Sequence, residues 1–312
     1  MTSIGPWKVL RFAAGLILSF SILIYIGYGL WVKWEQVRDY PWQLRPFLLV
    51  FSGILLFIAY GIFFVLWKVL LSKFGERISY LPGFRIWFLS QLGKYVPGKI
   101  WGAIGRVFLL RRKGIGIAAG SLSVVYELIL MVLSGLIFSL LTLPFWGEAR
   151  HFLSSSKNVS EWSWVIAGIV LLLGILHPRL WSWVGKRTSR LAGEGSGKID
   201  RSPGYSLLIG LTGCYVALWG LVGLSFCLFV ASFSAISWSH FPAIAGIFVF
   251  SWIAGTLVFL APAGLGIREG FLILALGPLI SPEFALVAAV ASRIWNTVVE
   301  MLGIGLGFCI RR

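Results

Sequence analysis

Charged residues are scarce in this chain of 312 residues: they make up 12% of it, whereas 58% of the residues are hydrophobic. A soluble domain is roughly half apolar and about a quarter charged, so the composition argues against a soluble fold. The apolar residues are gathered into runs of membrane-spanning length. The sequence therefore predicts an all-α polytopic integral membrane protein with a single transmembrane domain over residues 1–312.

Histidine and cysteine are also rare, with three of each. The cysteines lie in apolar stretches without metal or redox spacing, and the histidines form no cluster. The sequence shows no Ser/His/Asp set, no phosphate loop and no acidic pair in a soluble domain. We therefore expect no metal, no cofactor and no catalytic residues, and we do not expect an enzyme.

Acidic residues are also few: the chain has 11 Asp and Glu and 27 Lys and Arg, which gives a net charge of +16. Such a charge can indicate nucleic acid binding. Here the basic residues lie in short loops between apolar runs, where they are typical of topology signals and of contacts with anionic lipid. We expect membrane lipids as partners and no nucleic acid.

Two kinds of apolar segment can be separated. Two stretches, roughly 86–110 and 241–280, are interrupted by Pro and Gly, and we interpret both as re-entrant hairpins. Uninterrupted segments predict about six spanning helices, at roughly 12–31, 47–71, 115–142, 162–177, 205–232 and 284–310.

The loops predict the topology. Basic residues are concentrated before the first span, between residues 73 and 85, at 111–113, in 179–201 and at the C-terminus, so these parts should be cytoplasmic. Six spans and two hairpins then place both termini in the cytoplasm. The first hairpin enters from the cytoplasm and the second from outside.

The order of elements predicts two inverted repeats, at about 1–143 and 160–312, each with two spans, a hairpin and a third span. Pro97 and Glu127 are 30 positions apart, and Pro262 and Arg293 are 31 apart. Corresponding broken segments in two inverted halves are typical of a transport site near the midplane. The alternative is chance similarity between Gly-rich membrane segments.

Ionisable residues inside apolar segments are the candidates for function, because a charge at the bilayer centre needs a partner or a wet cavity. Five bases stand against three acids, so full pairing would leave two positive charges, which suits an anionic headgroup. The alternative is a purely structural ion-pair network. Glu127 and Arg293, at equivalent places in the two halves, are predicted to face one polar cavity with Arg268 and Glu269 and to offset one another across the pseudo-twofold. The five bases are Lys94, Lys99, Arg106, Arg268 and Arg293, and the three acids are Glu127, Glu269 and Glu300.

Two spaced motifs contain most of these ionisable residues. The first is the run from Leu92 to Arg106, with Glu127 in the following helix, and the second runs from Pro262 to Gly270, followed by Arg293. Both resemble motifs of the lysylphosphatidylglycerol synthase transmembrane, or flippase-like, family. The resemblance implies a multi-pass protein of a prokaryotic cytoplasmic membrane whose relatives move lipids or lipid-linked molecules, or assist that process. Full-length synthases carry a cytosolic aminoacyl transferase domain, and aminoacyl transfer is not expected for a chain that stops at Arg312.

The leading hypothesis is a flippase-like transporter of an anionic or aminoacylated phospholipid, or of a lipid-linked saccharide. The first alternative is a non-catalytic accessory subunit that serves a membrane enzyme of envelope lipid or glycolipid synthesis. The second is an enzyme that acts on a membrane lipid with its charged residues. The candidate substrate-binding residues are Lys94, Tyr95, Pro97, Gly98, Arg106, Glu127, Pro262, Gly264, Arg268, Glu269, Arg293, Asn296 and Glu300.

Overall fold

The computed structural model describes most of the chain as helices and the turns between them, without a strand in the described part. It describes residues 41–95, 100–147, 161–174, 203–258 and 264–310, with isolated residues before them. The helices are α1 Pro46–Lys73, α2 Tyr80–Gln91, α3 Trp101–Arg111, α4 Ile117–Thr142, α5 Glu161–Gly174, α6 Tyr205–Ala231, α7 Phe241–Leu257, α8 Ile267–Leu276 and α9 Pro282–Cys309.

Five helical segments of the described chain are long and apolar enough to cross a membrane. Four of them contain α1, α4, α6 and α9, in agreement with the spans predicted at 47–71, 115–142, 205–232 and 284–310. The fifth, Trp238–Leu257, is the first limb of the second predicted hairpin and is longer than a half-penetrating limb needs to be. The all-helical, multi-pass architecture is thus confirmed.

Two predicted spans and the repeat need separate comment. The span predicted at 12–31 lies, apart from Tyr28 and Trp31, outside the described residues. The span predicted at 162–177 corresponds to α5, whose described 14 residues are shorter than the roughly 20 that a full crossing needs. The division into repeats at 1–143 and 160–312 stays a prediction.

The outer face of α1 is apolar, as expected for a helix that faces lipid. Its exposed side chains recur every three or four positions, so they share one helix face. An exposed stripe of this kind is suited to lipid, because lipid tails are as apolar as the side chains themselves. The stripe consists of Phe47, Val50, Ile54, Ile58, Ile62 and Val65.

Both interrupted segments fold as helix, break and helix, with the second helix packed back against the first. In the first hairpin a methyl group on Gly93 would collide with the backbone of Gly102. In the second, a methyl group on Gly264 would lie 2.9 Å from the Cα of Gly255. Each crossing of the two limbs is therefore a contact between two glycines nine positions apart, and a side chain on Gly93 or on Gly264 does not fit there.

The two hairpins open toward opposite faces of the molecule. On one face the Gly116 N–H donates to Glu76 at 2.9 Å, and Arg85 donates to the Ile310 carbonyl at 2.8 Å. These bonds bring both ends of the α2–α3 hairpin and the end of α9 to the same face.

On the other face the segment before α1 meets the turn after α6. The Arg45 N–H donates to the Ser232 carbonyl at 2.7 Å, and the Trp42 ring meets the Phe284 ring edge-on at 5.6 Å. The α7–α8 hairpin begins just after this turn and ends just before Phe284. Both predicted breaks are therefore present and the two hairpins open toward opposite faces, while their re-entrant course in the membrane stays a prediction.

Candidate functional site

A cavity of about 370 Å³ lies between the two hairpins and the long helices. Its walls come from α1, α2, α3, α4, α6, α7, α8 and α9. We call it the charged cavity, because the structure brings to it most of the ionisable residues that the sequence singles out. The predicted residues that line it are Lys94, Tyr95, Arg106, Glu127, Arg268, Arg293, Asn296 and Glu300.

The first ion pair joins the α2–α3 hairpin to α4. Arg106 Nη1 contacts Glu127 Oε2, and both side chains are buried. Trp87 Nε1 donates to the other carboxylate oxygen at 2.9 Å, and Arg106 Nε donates to Ser90 Oγ at 2.9 Å. The Arg106 guanidinium also stacks on the Trp67 ring at 5.2 Å. Two buried charges are therefore held by hydrogen bonds as well as by each other.

The second ion pair joins the α7–α8 hairpin to α9, with the signs reversed. Glu269 of α8 contacts Arg293 of α9 and is itself almost fully buried. Its second oxygen accepts a 2.7 Å hydrogen bond from the Gly266 N–H, at the start of α8. Gly266 has φ +83°, a conformation that favours glycine, so the chain turns sharply into the helix here.

The third ion pair joins the tip of the α2–α3 hairpin to α9. Lys94 and Tyr95 lie on the 3₁₀ turn Leu92–Tyr95 at the end of α2 and both contact Glu300 of α9. The Tyr95 hydroxyl donates to Glu300 at 2.7 Å. Nearby, the Tyr60 hydroxyl donates to Asn296 at 3.3 Å. One acid of α9 therefore holds the tip of the first hairpin.

Arg268 differs from the other bases. Its side chain is 9% exposed and lines the charged cavity, with the guanidinium 4.8 Å from the Phe248 ring centre. Neither Nε nor Nη2 finds a hydrogen-bond partner among the described residues, and no ion pair there includes Arg268. A buried guanidinium in this state strongly favours an anion beside it.

The remaining predicted residues belong to the breaks. Gly264, with φ +70°, supports the cavity wall through its contact with Gly255, which lines the cavity. Pro97, Gly98 and Pro262 lie outside the described residues, as does Lys99.

The geometry changes the pairing expected for Glu127. The sequence suggested that Glu127 and Arg293 offset one another across the pseudo-twofold. Both face the charged cavity, but among the described ion pairs Glu127 binds Arg106 and Arg293 binds Glu269. The reason is local: the second limb of each hairpin packs against the long helix that follows it and supplies the opposite charge.

Sequence reasoning missed the uncharged side chains that orient the charges. Trp87 and Ser90 are three positions apart on α2, so they share the face toward Arg106 and Glu127. Tyr60 is a polar tip in the middle of the apolar helix α1. The sequence signal for Tyr60 was a hydrogen-bonding group in the middle of an apolar span. Such a group needs a partner, because an unpaired polar group is costly in hydrocarbon.

Comparison with known proteins agrees with this architecture. The family model for the lysylphosphatidylglycerol synthase TM region matches residues 13–303. The chain belongs to this family. No curated protein and no solved structure gives a match to the chain. The match includes both hairpins and all three ion pairs, so the charged cavity lies within the family's multi-pass membrane domain, which is related to lipid synthesis.

Proposed function

We propose that this chain moves a lipid with an anionic headgroup from one leaflet to the other. The headgroup crosses in the charged cavity, while the acyl chains stay in the surrounding lipid. The observation that carries the proposal is the buried Arg268, because a guanidinium without an acidic partner there is costly unless an anion visits it.

The balance of charges narrows the class of lipid. Around the charged cavity four described bases stand against three acids, and each acid has its own base, so one positive charge remains, on Arg268. The undescribed residues 96–99 and 259–263 at the two breaks contain Lys99 but no acid. This balance favours a headgroup with one unbalanced phosphate, such as phosphatidylglycerol or a polyprenyl-phosphate saccharide, over an aminoacylated lipid.

The position of the breaks favours transport over simple docking. The two hairpins open toward opposite faces, and both contribute side chains to the same cavity. Half-helices α3 and α8 also begin beside the cavity, so their N-terminal N–H groups add positive potential. A headgroup bound there has a short path to either face, and a small movement of one hairpin opens that path.

The test is lipid flux in liposomes that contain the purified protein, with fluorescent phosphatidylglycerol as the probe. We expect flux above that of empty liposomes, and a fall of about tenfold or more for Arg268→Gln. A charge-assisted hydrogen bond contributes about 1.5–3 kcal/mol, and about 1.4 kcal/mol corresponds to a factor of ten. Arg268→Lys should retain part of the flux, because the positive charge remains.

The control is Arg77→Gln, which removes the same charge from an exposed loop position. It should leave the flux unchanged. Wild-type flux no higher than that of empty liposomes would reject transport and favour the accessory-subunit function.

A further inference from the structure

A second concave surface lies on the outside of the α3–α4 pair. It has a volume of about 340 Å³. We call it the α3–α4 groove. Its walls are apolar except for Arg111 at one end and Ser121 on α4. The apolar residues along it are Ala103, Ile104, Val107, Phe108, Ile117, Val124 and Val125.

The α3–α4 groove is continuous with the charged cavity. Ala103 and Val124 line both. One turn further along each helix lie the ion-paired residues Arg106 and Glu127. The small residue Ala103 therefore lies at the boundary between the apolar groove and the charged cavity. At such a boundary the headgroup of a lipid would lie on one side and its acyl chain on the other.

The far end of the groove carries charge. Arg111 ends α3 and is exposed, and Arg112 beside it stacks on the Phe108 ring at 4.6 Å. From Ala103 to Arg111 the helix rises by about 12 Å, which is less than half the roughly 30 Å thickness of a bilayer's hydrocarbon core. The groove thus has the length of one leaflet or less, with an arginine at its outer end, a side chain suited to phosphate.

We infer that the α3–α4 groove binds one phospholipid of the adjoining leaflet. The phosphate contacts Arg111, and one acyl chain lies along Ile104, Val107 and Phe108. The headgroup then passes over Ala103 and Val124 into the charged cavity. Only this last step rests on the proposed function, because the groove is a lipid site whether or not transport follows.

Two features favour a lipid over other occupants. Ile104 and Phe108 are 49% and 53% exposed, so the groove offers apolar contacts to whatever lies beside it in the membrane. The single charge at its end is positive, which complements a phosphate but not an apolar helix of the same chain or a second copy. The concave shape also permits more contacts with one chain than a convex helix surface does.

The experiment uses the full-length protein in liposomes that contain phosphatidylglycerol with a photoreactive group on its acyl chain. After irradiation, mass spectrometry maps the labelled residues. We expect Val107, Phe108 and Val125 to be labelled several-fold more than Leu274 and Val170, which are exposed apolar positions outside the groove. Equal labelling of the groove and these positions would overturn the inference. So would an unlabelled groove, which would favour the segment 12–31 as its occupant.

A pair of arginine variants tests the role of the phosphate. Arg111→Gln should lower labelling in the groove several-fold and leave Leu274 unchanged. Arg77→Gln, a matched loss of charge at another exposed position, should change neither. Groove labelling that is unaffected by Arg111→Gln would overturn the assigned phosphate contact.

The connection to the cavity is tested by enlarging the residues shared by the two sites. Ala103→Leu and Val124→Phe should slow phosphatidylglycerol flux at least several-fold while labelling at Phe108 persists. Val170→Phe, which enlarges an exposed apolar residue outside both sites, is the matched control and should leave the flux unchanged. If groove labelling still depends on Arg111 but no flux is measured, the lipid site is supported and the transport proposal is rejected. Flux unaffected by both shared-residue variants rejects the passage.

Discussion

The Arg106–Glu127 pair is the most completely satisfied charged group of the charged cavity. Both carboxylate oxygens and two guanidinium nitrogens have partners, supplied by the pair itself, by Trp87 and by Ser90. Arg106 is 7% exposed and Glu127 is 4% exposed. Because each charge depends on the other, removing one leaves a charge that neither water nor protein balances.

A double-mutant cycle measures this dependence. We expect Glu127→Gln alone to lower the free energy of unfolding in detergent by about 3–5 kcal/mol, since Arg106 then stays buried without its carboxylate. Arg106→Gln should be similarly destabilising, and the double variant should lose clearly less than the sum of the two losses. Thermal or denaturant unfolding of the four proteins gives the coupling.

The Lys94–Glu300 pair is a control for the same experiment. The Lys94 side chain is 40% exposed, so water replaces its partner in part. The cycle Lys94→Gln and Glu300→Gln should give a coupling of about 1 kcal/mol or less. If the Arg106–Glu127 coupling is no larger than this value, the buried pair is not the structural element that its contacts suggest.

Single residues show how far the sequence can predict a site. It identified the bases and acids, because charge in an apolar segment is visible without a structure. It did not show that Arg268 is the base left without an acid, because that depends on which helices pack together. Glu127 is the clearest example: its partner is the arginine 21 positions before it, not the one predicted in the other half.

The hairpins are the elements on which the charged cavity depends, and each is closed by two glycines in contact. Gly255 lies within α7, where Gly costs up to about 1 kcal/mol relative to Ala, whereas the φ of +70° at Gly264 favours glycine. The gain is the close approach of two backbones, which places Lys94, Arg106 and Arg268 around one space.

The first hairpin gives a sharp comparison between two substitutions. Gly93→Ala should destabilise the protein and weaken lipid binding, because the new methyl group collides with the backbone of Gly102. Gly105→Ala places a methyl group in open space on the same hairpin and should be neutral or slightly stabilising. Melting temperatures in detergent distinguish the two, and equal values would mean that the limbs do not cross at Gly93.

The second hairpin adds backbone conformation to the same comparison. Gly264→Ala combines a φ of +70° with a contact of 2.9 Å to Gly255, so it should cost more than the roughly 1 kcal/mol expected from the left-handed conformation alone. Gly270→Ala, on α8 with nothing near its Cβ, is the matched control. A smaller loss for Gly264→Ala than for Gly270→Ala would contradict this view of the break.

The breaks themselves could be predicted, but their contacts could not. Proline and glycine in an apolar run mark an interruption, and both interruptions are present. The contact between Gly93 and Gly102 depends on the angle at which α3 folds back on α2. The spacing of apolar residues in the sequence does not specify that angle. The length of α7 was also hidden, because its 17 residues read equally well as half of a hairpin or as a span.

The molecule as a whole has one strongly basic face. The first hairpin opens there and α9 ends there, as the bonds from Gly116 to Glu76 and from Arg85 to Ile310 show. The turn from residue 232 to 240, on the opposite face, has no Lys or Arg. The basic side chains of the first face include Lys73, Arg77, Arg85, Arg111, Arg112 and Lys113. This asymmetry is the pattern that orients membrane proteins with the basic face in the cytoplasm.

Cysteine accessibility tests that orientation, and with it the prediction that both termini are cytoplasmic. In a background without Cys214, Cys227 and Cys309, single cysteines at the exposed positions Ser79 and Ala235 report on the two faces. In intact cells a membrane-impermeant maleimide should label Ala235→Cys and should reach Ser79→Cys only after the membrane is opened. Because the fold fixes these positions on opposite faces, the reversed pattern would invert the whole domain. The groove end at Arg111 would then face the outer leaflet, and the lipid that it receives would come from that side.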